Sequence, residues 1–259
     1  MRWLRYTTDN QTRYGLLTGT TIQELEGHLF DPPTPTGRAH RLEKVKIEIP
    51  LLPRTFYAAG LNYTHHIMEV AKARNEPPSI PQKPDMGYRA TNALVAHDEP
   101  VIIPKDATKI HYEGELVAVI GRQAKHLTEQ NALSCVFGYT IGNDVSERNW
   151  QKSDRTFWRS KNTDTFKPMG PWIETDPDLE HMETTIRLNG AETLRFPTSH
   201  MLFSLQAFIA TMTKNITLHP GDVIWMGTDG ASPDLHPGDV VEIDISGIGT
   251  LRNPFVLEP

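Results

Sequence analysis

At 259 residues, the chain has room for one large domain or a main domain with a small appendage. Its 38% hydrophobic content can fill a sizeable core, and 22% charged residues is ordinary for a soluble protein. Lys and Arg total 26 against 32 Asp and Glu, a net charge of −6, which argues against nucleic acid or an anionic membrane as the main partner. No apolar run approaches the roughly 18 residues of a membrane span, and the opening "MRWLRYTTDN" has no signal-peptide apolar core. The one cysteine, Cys135 in "LSCVFGYTI", has the neighbours of a small buried hydrophobe; a reducing, cytoplasmic setting is the expectation.

The chain begins with a small β-rich unit, residues 1–50. "MRWLRYTT", "TRYGLLTG" and "TTIQEL" are short strand candidates separated by turn chemistry. "DPPTPTGRAH" follows and reads as a Pro/Gly loop, and "KVKIEIPLL" opens the second region, 51–259, with clean alternation. "FYAAGLNYTHHIMEVAKARN" holds a strand end, a Gly turn and a short helix from about Thr64 to Ala73. The Pro-rich "EPPSIPQKPDMGYRATN" reads as an exposed loop or lid edge. Strand candidates then dominate: "ALVAH", "PVIIP", "GELVAVIG", "FGYTIGND", "GPWIET", "TTIRLNG", "DVIWMGT" and "DVVEIDISGIGTLRNP". One further helix fits "SHMLFSLQAFIATMTKN", with Leu202, Leu205, Phe208, Ile209 and Met212 at helical spacing. The fold class is therefore α+β and β-rich.

The chain lacks a GxSxG elbow, a phosphate-binding Gly-rich loop, a Cys-based zinc pattern and HExxH. Its chemical candidates are acids. Glu113 and Glu115 in "IHYEGELVAVIG" lie two apart on a strand and so share a face. Two carboxylates on one face suit a hard cation; a solvent-exposed strand end is the bland alternative. Asp144 in "GYTIGNDVSERNWQ" either joins them or caps a following helix, the commoner use of Asp before such a segment. His66 and Glu69 lie three apart on the short helix, as a general base and its orienting carboxylate would, or as an ordinary surface pair. Lys161, amid Phe157, Trp158, Phe166 and Trp172, either snorkels or holds a carboxylate or oxyanion.

Taken together, "GLNYTHHIMEV", "YEGELVAVIG", "GYTIGNDVSERNWQ", "RSKNTDTFKPMGPWI", "LHPGDVIWMGTDG" and "LHPGDVVEIDISGIGTLRNPF" resemble the fumarylacetoacetate hydrolase family over about residues 55–256. The first fifty residues resemble that family's common N-terminal appendage. The resemblance implies a mixed β-roll core, a homodimer, and Mg²⁺ held by Glu113, Glu115 and Asp144, with Mn²⁺ or Ca²⁺ as alternatives. It implies a catalytic His66, Glu69 and Lys161, and Arg148, Gln151 and Thr228 on a small-molecule 2-oxo acid substrate. The implied activity is hydrolysis of a C–C bond in an acylpyruvate-like 1,3-dicarbonyl acid, as in catabolism of aromatic compounds. A decarboxylase or isomerase of an oxaloacetate-like or unsaturated dioic acid shares that site, and a non-catalytic metal-stabilised binding protein is the remaining alternative. The sequence departs from the family wording twice: "GTDGASPD" has Asp229 where proline is usual, and "SERN" replaces "TARD".

Overall fold

The computed structural model describes residues 1–259 except the side chain of Arg74. The first three strands form at Arg2–Thr8, Gln11–Thr18 and Thr21–Glu26. Asp9 and Asn10 both take positive φ, as a two-residue hairpin turn requires. The Pro/Gly stretch differs from expectation, because Thr34–Arg41 is a strand paired with Thr21–Glu26. It is the outermost strand of its sheet, where proline is tolerated.

These N-terminal strands do not stand apart. Arg2 and Trp3 pair antiparallel with Glu174 and Ile173, so they extend the main sheet. From that edge the order runs through Arg2–Thr8, Lys167–Glu174, Val136–Asn143, Gly114–Ile120, Val223–Trp225, Phe56–Ala59 and Met86–Tyr88. Most pairs are antiparallel, and Val223–Trp225 runs parallel to Phe56–Ala59, so the sheet is mixed. A second sheet holds Ala191–Pro197, Glu183–Leu188, Val240–Ile245, Gly249–Leu257 and Val101–Ile103.

The Gly114–Ile120 strand is buried along its length. Leu116, Ala118 and Ile120 join the core that includes Ile186 and Ile243 of the second sheet and Phe208 and Ile209 of a helix. Val117 and Val119 join another, with Phe56, Met169, Ile173 and Trp225. Burial on both faces explains why the strand is continuously apolar after its acidic start. The helix beside it spans Leu205–Asn215 and begins later than the periodicity predicts, because Ser204 caps it by accepting the Ala207 N–H. Another helix spans Thr64–Arg74. Among the described residues, no helix is long and apolar enough to cross a membrane.

The N-terminal strands carry one buried acid. Glu24 accepts from Arg13 at 3.2 Å and Arg38 at 2.7 Å, and pairs with His40 at 3.0 Å. Burial works to raise its pKa, but the Arg38 and His40 hydrogen bonds outweigh it and hold the carboxyl at about 2 against an ordinary 4.5. A depressed folded-state pKa stabilises fully above the unfolded value and is lost as pH falls through the folded one. Glu24→Gln should therefore lower stability at pH 7 by on the order of 2 kcal/mol. Its gap to the parent protein should close between pH 4.5 and 2 in thermal melts. A gap constant across that range would show that the Glu24 charge is not what stabilises these strands.

Candidate active site

The site forms where two adjacent strands end. Gly114–Ile120 pairs antiparallel with Val136–Asn143, placing Glu115 opposite Gly142 and Gly114 opposite Asn143. The Asp144 N–H then donates to the Glu113 carbonyl at 2.9 Å, and the Asn143 side chain accepts the Glu113 N–H at 3.0 Å. One carboxylate oxygen each from Glu113, Glu115 and Asp144 lies within 4.8 Å of the others, and all three residues are buried. The exposed-strand-end alternative for the glutamates therefore falls, as does capping for Asp144. The cap of the short helix Arg148–Gln151 is Glu147, which accepts the Trp150 N–H.

Four cations converge on these acids. Arg89 clasps Asp144 through Nε at 3.1 Å and Nη2 at 2.8 Å. Lys167, fully buried, places Nζ 2.8 Å from Asp144 Oδ1 and donates to the Val145 and Phe166 carbonyls. Lys161 does not snorkel: its ammonium bridges Glu113 at 2.5 Å and Asp144 at 2.7 Å. Arg148 donates to Glu113 at 2.6 Å, to Gln151 at 2.9 Å and to His111 Nδ1 at 3.1 Å, and His111 in turn pairs with Asp234.

The three acids respond unequally. Burial pushes each upward, yet Arg148 and Lys161 bring Glu113 down to about 2. Arg89, Lys161 and Lys167 likewise hold Asp144 well below the usual range. Glu115 receives less help: burial and the neighbouring Asp144 and Glu113 charges push it up to about 8, against the Lys161 charge and a Gly227 N–H at 2.8 Å. Burial, with Arg89 and Lys161, lowers Lys167 to about 7 against the pull of Asp144.

Gln151 reaches this cluster through Arg148. Thr228 is buried beside Gly227, whose N–H donates to Glu115. His66 and Glu69 share a helix face but no hydrogen bond among the described residues. The His66 ring instead pairs with the Gly230 carbonyl through Nδ1 at 2.5 Å. Arg89 and Lys167 escape the sequence reading; the only clue to Lys167 is its place in "TFKPMGPW".

The donor set fits a hard divalent ion. All three donors are carboxylate oxygens gathered within 4.8 Å of one another, the ligand type such an ion takes.

Residues 55–256 match the model of the fumarylacetoacetate hydrolase C-terminal domain. The chain belongs to the fumarylacetoacetate hydrolase family. Residues 1–50 match an Rv2993c-like N-terminal domain. The chain is 38% identical to protein Rv2993c of Mycobacterium tuberculosis over 239 residues, 91% of this chain and 88% of that one. It is 37% identical to a 2,4-didehydro-3-deoxy-L-rhamnonate hydrolase of a Sphingomonas species, over 75% of this chain and 70% of the relative. A crystal structure of a 5-carboxymethyl-2-hydroxymuconate delta-isomerase from Mycobacterium smegmatis superposes over 100% of both chains, with a TM-score of 0.90 and 35% identity.

Removing one member of a buried ion pair costs about 3–5 kcal/mol, because the other is left uncompensated. Lys167→Met should accordingly destabilise the fold by about 3 kcal/mol in denaturant unfolding, stranding the Val145 carbonyl and leaving Asp144 Oδ1 to Arg89 alone. Parent-like stability would mean that Arg89 and Lys161 alone suffice for Asp144.

Proposed function

We propose that this protein hydrolyses a C–C bond in an acylpyruvate-like 1,3-dicarbonyl acid, with a divalent cation on Glu113, Glu115 and Asp144. The observation that carries this reading is the three-carboxylate cluster, buried and hydrogen-bonded by Lys161 and Arg148, with the Gly227 N–H on Glu115 and the nearby Gly230 carbonyl on His66. Mg²⁺ is the first choice of ion and Mn²⁺ the second. When bound, the cation supplies Lewis-acid stabilisation of negative charge on the 2-oxo acid.

The chain's own residues do the rest. His66 takes a proton from water as the water oxygen bonds to the distal carbonyl carbon. The C–C bond then breaks, its electron pair leaving with the pyruvate-like fragment, which takes up a proton. The products are a carboxylic acid and a 2-oxo acid. The Lys161 ammonium, already against Glu113 and Asp144, offsets developing negative charge. Arg148, braced by Gln151, and Thr228 position the substrate. A homodimer is part of this proposal.

A second reading uses the same site for isomerisation or decarboxylation. It is supported by the isomerase named among the full-length structural relatives, and by a His66 ring that lacks the expected carboxylate partner and suits proton shuttling. Product analysis separates the two. With Mg²⁺ and acylpyruvates, formation of two acids supports hydrolysis, whereas release of CO₂ or a shifted double bond would transfer the assignment.

Substituting Glu113, Glu115 or Asp144 by Ala should abolish turnover and weaken Mg²⁺ binding in calorimetry, since such a cation takes few protein ligands. His66→Ala should keep Mg²⁺ and 2-oxo acid binding while losing roughly 10²–10⁴-fold in hydrolytic rate. An unimpaired His66→Ala rate would require another group to activate water.

A further inference from the structure

The helix bearing His66 begins without a cap of its own. Tyr63 occupies the N-cap position without a side-chain hydrogen bond, and the first turn contains no acid. The first N–H groups of a helix lack intrahelical partners, and an oxygen at its start normally accepts one of them. Here that oxygen comes from far along the chain: Asp229 Oδ1 accepts the His66 backbone N–H at 3.1 Å. The same atom accepts the Gly230 N–H at 2.8 Å and lies 3.5 Å from His65 Nδ1. A negative charge at this end also complements the helix dipole.

One residue further, the Gly230 carbonyl meets His66 Nδ1 at 2.5 Å. A carbonyl oxygen can only accept, so Nδ1 carries the proton; in the neutral ring Nε2 then holds the lone pair, the state a base requires. Gly230 presents this carbonyl with φ at +66°, where a Cβ would come within 2.6 Å of Leu194 Cδ1. The turn starts at Gly227, whose N–H donates to Glu115 at 2.8 Å. A single four-residue turn thus holds one of the three acids and both ends of the candidate base.

We propose that Asp229 and Gly230 are the positioning residues for His66. Asp229 fixes its backbone at the helix start, and Gly230 fixes the ring tautomer, the orienting role the spacing assigns to Glu69. The inference rests on His66 acting as the base in the reaction proposed above.

The test compares Asp229→Ala and Asp229→Asn in the full-length protein with Mg²⁺. Asp229→Ala should lower kcat for acylpyruvate hydrolysis roughly 10²-fold, as misplacement of a reacting group does. KM and calorimetric Mg²⁺ affinity should hardly change, and amide hydrogen exchange at residues 66–68 should quicken. Asp229→Asn retains an oxygen acceptor and should recover most of kcat. In the parent protein, ¹⁵N NMR should show His66 protonated at Nδ1. A parent-like kcat in Asp229→Ala, equal losses in both variants, or an Nε2-protonated neutral ring would each overturn the proposal. If the parent protein hydrolyses no acylpyruvate, the function proposal fails, while hydrogen exchange and the tautomer still decide the positioning claim.

Discussion

Three carboxylates buried within 4.8 Å of one another are the constraint that the rest of this structure serves. Like charges at that separation in a water-poor site cannot all ionise without compensation. Arg89, Lys161, Lys167 and Arg148 supply it, but unevenly. Among the described residues, Asp144 is met by three cations and Glu113 by two, whereas Glu115 is hydrogen-bonded by a backbone N–H alone. Glu115 is thus the acid served least by protein charge, which is why its pKa rises while its neighbours' fall. The electrostatic deficit is local, and it sits on the donor set suited to a divalent ion.

Two departures from the family wording acquire a physical role in this frame. Glu147, in "SERN", is fully buried and caps the short helix that carries Arg148. Its other oxygen accepts the Thr108 and Lys109 N–H groups at 3.1 and 2.8 Å, tying that helix to the strand leading into Glu113. Asp229 does the corresponding work for the His66 helix. Neither change announces this role when read along the chain. In space each is a carboxylate satisfying the N–H groups at the start of a helix that bears a site residue.

What could be read from sequence depended on how local the cause was. The paired glutamates, Asp144 and Lys161 are legible because residue type, spacing and surrounding words coincide within short stretches. Arg89 is not, because its partner lies 55 positions away and nothing in "MGYRATN" marks it. The Pro/Gly segment conceals the Thr34–Arg41 strand because its rule applies to interior strands and this one is an edge. Ala191–Pro197 escapes for another reason: only Phe196 is buried, so no alternation announces it. The expected His66–Glu69 pair follows correctly from helix geometry, yet the ring finds a backbone carbonyl from a distant turn instead. Spacing gives the face a side chain occupies and leaves open what stands opposite.

A long, flexible side chain such as Lys161 can be placed accurately only if its backbone is fixed. Asp154 provides that fixation, its Oδ2 accepting the Arg159 and Ser160 N–H groups at 3.2 and 2.7 Å immediately before Lys161. The Ser160 carbonyl accepts the Glu147 N–H at 2.9 Å, joining the lysine loop to the arginine helix. The Lys161 ammonium is then fixed by two charge-assisted hydrogen bonds at its far end. The same pattern governs Glu115 through Gly227 and His66 through Asp229 and Gly230. In each case a group suited to chemistry is oriented by hydrogen bonds that a backbone group gives or accepts. The order of the site is therefore a property of the whole fold, and preorganised charge of this kind is what a reaction developing negative charge requires.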